Sequence, residues 1–198
     1  MKNLYLFLFI AICTTSANAQ SEQFSYPDAF YFVKEIKTTG LAERPFHLEI
    51  TVKENPADSL SKPRIYAVQV RKGKEDIIGR SLQYATATAG EWKTYTIEGI
   101  TEKDATRIWF YAAVNGNGIF YFDKLQFSIA DATGTLQEQD VSNQSFEDKK
   151  ILNGYFINTQ PSKDLQVFLS PVACDGKQSV QVISAHQKPA GVRGLVRN

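Results

Sequence analysis

Between Arg107 and Val114 the sequence RIWFYAAV interleaves two sets of side chains. Successive side chains of an extended chain point to opposite faces, so Trp109, Tyr111 and Ala113 share one side and Ile108, Phe110, Ala112 and Val114 the other. With the second set as core, Trp109 and Tyr111 face outward. Tyr66 and Tyr84 join them from neighbouring strands, with Gln83 or Asn115 supplying polar contacts. Such a surface suits sugars, whose rings lay apolar C–H faces on Trp and Tyr while their hydroxyls take polar partners at the rim. The competing expectation is that these aromatic side chains are ordinary core filling.

Asp123 raises a separate question. In GNGIFYFDKLQFSI, residues 116–129, alternation puts Ile119, Tyr121, Leu125, Phe127 and Ile129 on one side, and Asp123 with them. A carboxylate on a buried face must be hydrogen-bonded, paired, protonated or metal-bound, because an unpaired buried charge is too costly.

Catalytic patterns are absent from the sequence. There is no Gly-x-Ser-x-Gly, His-Glu-x-x-His or Cys-x-x-Cys, and Gly116-Asn117-Gly118 reads as a hairpin turn, not a phosphate cradle. His47 takes the outward phase of its strand and His186 lies near the chain end, so both read as solvated. Cys174 has no sequence neighbour that would lower its pKa and reads as an inert, partly buried thiol. Paired carboxylates for glycoside hydrolysis can come from distant strands, and 21 acidic residues offer too many pairs to single one out. Asn143-Gln144-Ser145 fits a glycosylation sequon, a coincidence in a chain of bacterial style.

The elements that must position these residues follow a leader. Lys2, the apolar run Leu4–Ile12 and Ala17-Asn18-Ala19 make residues 1–19 a signal peptide cleaved after Ala19, and the protein is expected to be secreted to the periplasm, outer surface or medium. The apolar run is shorter than the ~20 residues a membrane span needs. Cys13 follows Ile12, which is not the small residue lipoprotein processing requires. Loss of Lys2 leaves 21 acidic residues matched by as many basic ones, and a neutral chain without a basic cluster excludes nucleic acid as the expected partner. Cys174 remains without an internal disulfide partner.

Phe46, Leu48, Ile50 and Val52 alternate with polar neighbours, a half-buried strand that Asn55–Pro63 ends as a loop. Residues 24–37, 64–71, 77–84, 92–98, 107–114 and 119–129 are further strand candidates, and no window has helical periodicity over three turns. Short strands with turn signals between them predict an all-β protein, a β-sandwich or jelly roll. Residues 20–130 form its module, and the polar stretch ADATGTLQEQDV, residues 130–141, reads as a linker, with 131–141 beyond the module. Residues 142–198, with strands at 165–170 and 178–184, are either a partial second β module or extra strands packed on the first.

Residues 91–129, EWKTYTIEGITEKDATRIWFYAAVNGNGIFYFDKLQFSI, carry a further pattern. A Trp opens a strand (Trp92), an aromatic follows three residues on (Tyr95), and Ala105 with Ile108 leads into the next strand. Gly116 with Gly118, Tyr121 and Asp123 then precede the last strand. This resembles the final strands of carbohydrate-binding-module-like jelly rolls of galactose-binding-like architecture. NQSFE, residues 143–147, resembles their opening strand and GKQSVQVIS, residues 176–184, their second. The arrangement is similar to non-catalytic regions ahead of the enzyme domain in secreted bacterial esterases of the erythromycin-esterase type and some serine peptidases.

The resemblance implies that Trp92 packs and that Asp123, at one end of the last strand, either binds structural calcium or accepts backbone hydrogen bonds. Calcium needs about 6 to 8 oxygen ligands. The second acid in the family comes from a Phe-Glu in the opening strand, which the first module lacks, the one copy being Phe146-Glu147. A hydrogen-bonded Asp123 tying the strand end to a loop is therefore favoured, with no cofactor. The leading functional expectation is a non-catalytic accessory module binding polysaccharide or cell-surface glycan through Trp109, Tyr111, Tyr84 and Tyr66. The chain ends in GVRGLVRN without an evident terminating element, so the alternative is the amino-terminal fragment of a secreted hydrolase. A third is a structural or protein-interaction sandwich without a small ligand.

Overall fold

The computed structural model describes residues 30–71, 83–84, 86–87, 91–158 and 163–185. The leader, His186, residues 24–29 and 77–82 of two expected strands and the tail 191–198 lie outside the described residues. No described residue is helical. The strands are β1 (Phe30–Lys37), β2 (Pro45–Pro56), β3 (Lys62–Arg71), β4 (Gln83–Tyr84), β5 (Thr86–Ala87) and β6 (Trp92–Ile100). They continue as β7 (Ala105–Asn115), β8 (Gly118–Ala130), β9 (Leu136–Glu138), β10 (Phe156–Ile157), β11 (Leu165–Ser170) and β12 (Ser179–Ser184).

These strands make two antiparallel sheets. One runs β10-β1-β7-β3-β4, and the other β11-β12-β8-β2-β6-β5 with β9 also on β8. Alternation drives their packing. Ile108, Phe110, Ala112 and Val114 of β7 and Leu48, Ile50 and Val52 of β2 are fully buried in one shared core. Phe32 of β1 meets Phe122 of β8 edge to face across the sandwich, ring centres 5.2 Å apart. Each fully buried Phe or Leu contributes about 1.5–3 kcal/mol.

The strands after residue 142 continue the same sheets, since β12 pairs with β8 and β10 with β1. Phe146 and Leu152 enter the common core, and Phe146 stacks on Tyr155 while both rings stand edge-on to Phe32. Lys34, on the inner side of β1 and almost wholly buried, ties this segment down. Its ammonium donates to Ser142 O (2.7 Å), Ser142 Oγ (2.9 Å) and Gly154 O (3.2 Å) and lies 4.5 Å from the centre of the Tyr155 ring. Burial holds it below the usual lysine value, while Asp148 pulls it back up. The stretch 131–141, expected as a linker, carries β9 paired to the end of β8 and places Val141 in the core. Its polarity reflects exposure, because all three β9 residues face solvent.

The structure corrects the phase of β8. Phe120 and Phe122 point inward, and so do Leu125, Phe127 and Ile129. That is a step of three at Asp123-Lys124, so Ile119, Tyr121 and Asp123 lie on the outer side, opposite to Leu125. A β-bulge is the cause. Glu49 and Thr51 of β2, two residues apart, face Gln126 and Asp123, three apart, and Lys124 takes φ 51° to absorb the extra residue. The Leu125 N–H then donates to Gln144 O at 2.8 Å.

The turn at Gly116-Asn117 is a second correction. It does not close a hairpin: β7 and β8 belong to different sheets, and the turn carries the chain between them. A Cβ on Gly118, at φ 142°, would stand 2.6 Å from Asn55 O and 2.8 Å from Pro56 Cα, so the crossing requires glycine.

His47 is outward, as expected, but not merely solvated. Its ring lies 2.9 Å from Glu49 Oε1 and 3.2 Å from Glu98 Oε1. Burial alone would lower its pKa; hydrogen bonds to the two glutamates outweigh that and raise it. A raised histidine stabilises the fold fully below its unfolded pKa of about 6.5 and loses that contribution as pH climbs through the folded value. Urea unfolding of wild type should therefore show a lower midpoint at about pH 8.5 than at about pH 5.5, and His47→Gln should flatten this difference. An unchanged difference in His47→Gln would assign the pH effect to other groups.

Candidate functional site

The outer face of the β10-β1-β7-β3-β4 sheet holds the candidate site, and strand register assembles it. Phe156 of β10 opposes Val33 of β1, which opposes Tyr111 of β7, which opposes Tyr66 of β3, which opposes Tyr84 of β4. Opposed residues of antiparallel strands share a face. One row thus crosses all five strands, with Tyr84 placed by its backbone pairing. The next row is Glu35, Trp109 and Val68.

A groove of about 430 Å³ opens on this face. Val33 is its floor, Tyr31 and Tyr111 stand on one side, Trp109 and Glu35 on another, and Gly154 and Phe156 close the third. Phe156 is 69% exposed, an unusual position for a phenylalanine in so short a strand. Val33, Val68 and Ala113 are buried outside the main core, so the sheet beneath the aromatic side chains is apolar.

The rings are fixed by their neighbours. Tyr66 and Tyr111 stack nearly parallel, centres 4.6 Å apart and planes 7° apart, while Tyr31 tilts against Tyr111 at 5.7 Å. Sequence reasoning expected Tyr111 and Tyr66 to offer ring faces to a sugar; in the structure each of the two rings has one face against the other. Burial and Tyr31 hold the Tyr111 phenol above its usual pKa, so it stays a neutral hydroxyl. Trp109 Nε1 donates to Glu35 Oε2 at 3.1 Å, and Arg107 Nη1 donates to the same oxygen at 3.2 Å. The indole N–H, aided by Arg107 and Lys37, keeps the Glu35 carboxyl below its usual range against the opposing effect of burial. Arg107 also lies 5.8 Å from the Trp109 ring centre. Trp109 is therefore held in one orientation, the preorganisation a stacking site needs.

Asp123 and Trp92 lie elsewhere, on the outer side of the other sheet. Asp123 is completely buried and accepts from Lys124 N (2.8 Å), Cys174 N (2.9 Å) and Asp175 N (3.1 Å), which ties the bulge to the β11–β12 loop. Glu147 Oε1 holds the same loop further on, accepting from Lys177 N and Gln178 N at 2.7 and 3.0 Å. Asp123 and the Glu147 of the one Phe-Glu copy thus both grip backbone N–H groups. Among the described residues no group of three or more His, Cys, Asp or Glu is placed to hold a metal ion. Burial raises the Cys174 thiol to about 12, with Asp123 adding to the shift, although the residue as a whole is exposed. Trp92 is half-buried and packs edge-on against Tyr121 at 6.3 Å. Asn115, expected as a rim contact, is buried at the end of β7, opposite Lys62 and away from the groove.

Tyr31, Glu35, Arg107 and Phe156 were not singled out by the sequence. In FYFVKEIK both phases of β1 carry apolar or aromatic residues, so alternation alone does not name the outer one. A two-residue strand such as β10 has no period to read.

The class defined by fold and site is an antiparallel β-sandwich with an aromatic groove on one outer face. No family model, curated protein or solved structure matches the chain.

Proposed function

We propose that the protein is a secreted, non-catalytic accessory module that binds glycan in the groove over β1, β7 and β10. The observation that carries this reading is the fixed Trp109 ring beside Glu35, whose Oε2 takes both donors while Oε1 accepts no hydrogen bond from the described residues. An aromatic face next to a carboxylate oxygen that can accept from a hydroxyl is the pairing a sugar ring uses. Tyr31, Phe156 and the stacked pair Tyr111 and Tyr66 complete the contact surface, over the apolar floor of Val33. The absence of a recognisable catalytic constellation in the sequence fits a binding role.

Affinity electrophoresis through a panel of polysaccharide gels tests it. Wild type is expected to be retarded by at least one polymer, and Trp109→Ala to lose roughly tenfold in affinity, about 1.4 kcal/mol. Identical migration of both proteins in every gel would exclude glycan binding for that panel.

A further inference from the structure

Charge is distributed unequally between the two outer faces. On the groove side, strand register brings Lys37 and Arg107 into one row and Arg64 into another, with Lys62 one row beyond. Glu35 is the one acid among the described outward positions of β1, β3 and β7, and Arg107 already neutralises it at 3.2 Å. The outer face of the other sheet is mixed in sign, with Glu49, Glu98 and Glu138 outward beside Lys53, His47 and the exposed Lys124. Among the described outward positions of β1, β3 and β7, basic side chains therefore outnumber the single acid, although other lysines and arginines lie elsewhere on the protein.

Their position matters as much as their sign. Arg107 and the residue opposite Arg64, Ala113, are six apart on β7, about 20 Å along the strand. The rows of Trp109 and Tyr111 lie between them, so basic side chains flank the aromatic band at both ends of the strands. Lys37 and Lys62 are exposed. A polymer lying across the strands on the aromatic band passes between two basic borders, and a charge carried at intervals on both of its edges would meet both.

On this basis we infer that the groove face takes an anionic polysaccharide, one whose sugars carry carboxylates, in preference to a neutral glycan. The inference rests on the glycan-binding reading above and adds the class of sugar. Trp109 supplies the stacking contact, and the exposed Lys37 at one border and Lys62 at the other supply attraction that reaches about a Debye length, roughly 10 Å at 0.1 M salt. Tyr31 and Tyr111, which line the groove, present hydroxyls to the ring oxygens and hydroxyl groups of the polymer.

Titration calorimetry of the full chain with oligogalacturonate, and with the same oligomer methyl-esterified at its carboxyls, separates charge from ring contact. The acid form is expected to bind at least roughly tenfold tighter at about 20 mM salt, with the advantage shrinking at about 200 mM. Lys37→Ser combined with Lys62→Ser should bring the acid form towards the ester and leave the ester's affinity as it was. Trp109→Ala should weaken both. Equal or tighter binding of the ester, still sensitive to Trp109→Ala, would overturn the charge preference and leave the glycan reading standing. Absence of binding by either oligomer and by every gel of the polysaccharide panel would remove the glycan reading and this inference together. Single-stranded DNA binding as tightly as the acid oligomer, and indifferent to Trp109→Ala, would overturn the sugar class in favour of a general polyanion surface.

Discussion

Phe146→Ala is expected to destabilise the whole sandwich by about 3 to 5 kcal/mol, as truncation of a buried phenylalanine does. Phe146 is 1% exposed, stacks on Tyr155 at 5.3 Å and stands edge-on to Phe32 of β1 at 6.0 Å. Its backbone sits at φ 57°, a conformation unfavourable by about 1–2 kcal/mol for a residue with a Cβ. Alanine would keep that strain and lose the burial that offsets it. The consequence reaches beyond one side chain, because Phe146 belongs to the segment that a sequence reading could treat as the start of a second module. Denaturant unfolding followed by far-ultraviolet dichroism should show one transition, displaced as a whole in the variant. A main transition with an unchanged midpoint, beside a smaller displaced one, would mean that residues 142–185 unfold separately.

Asp123→Ala ranks next, at about 2 to 4 kcal/mol, because three backbone N–H groups lose their acceptor in a site with no exposed surface. Asp123→Asn should recover only part of this. Both carboxylate oxygens accept in the native protein, whereas an amide would turn an NH2 group towards one set of donors. The pH dependence has a definite sign. Burial raises the Asp123 pKa, and the N–H donors pull it down without cancelling that shift. The folded state then takes up a proton before the unfolded one does, so stability linked to this carboxyl declines as pH rises from the unfolded value of about 3.9 through the folded value. Wild type minus Asp123→Asn stability, measured between about pH 3 and pH 7, should fall with pH over that window. A difference that rises instead would mean that the backbone donors dominate the carboxyl's energetics.

The sequence legibly contains β7 and β2. In β7 each phase is chemically consistent from Ile108 to Val114, and the inward set is completely buried. The same procedure misassigned Ile119 and Tyr121 in β8, where both phases carry large apolar side chains and one lysine at φ 51° exchanges them. No period can register such a step when the residue that makes it is not glycine. The groove was partly visible. Trp109 and Tyr111 follow from alternation within one strand, but the stacking of Tyr66 on Tyr111 depends on the register of β3 against β7. Glu35 and Phe156 depend on β1 and β10 lying next to β7, a relation between residues far apart in sequence. Asp123 was recognisable as a carboxylate in need of partners, while the partners themselves, Cys174 and Asp175, arrive from a loop about fifty residues later.

Lys34 and its acceptors have a further consequence, for the order of folding. Ser142 lies 108 residues beyond Lys34, and the Tyr31 N–H bonds to Asn158, 127 residues along the chain. Contacts of such separation slow folding, because a long loop must be closed before they return any energy. β1 is the first described strand to leave the ribosome, yet its inner face is completed by Phe146 and Tyr155. From the synthesis of β1 until residues 142–155 emerge, the chain must therefore carry Phe32 and Lys34 without these partners, leaving an aromatic segment open to a holding chaperone over that interval.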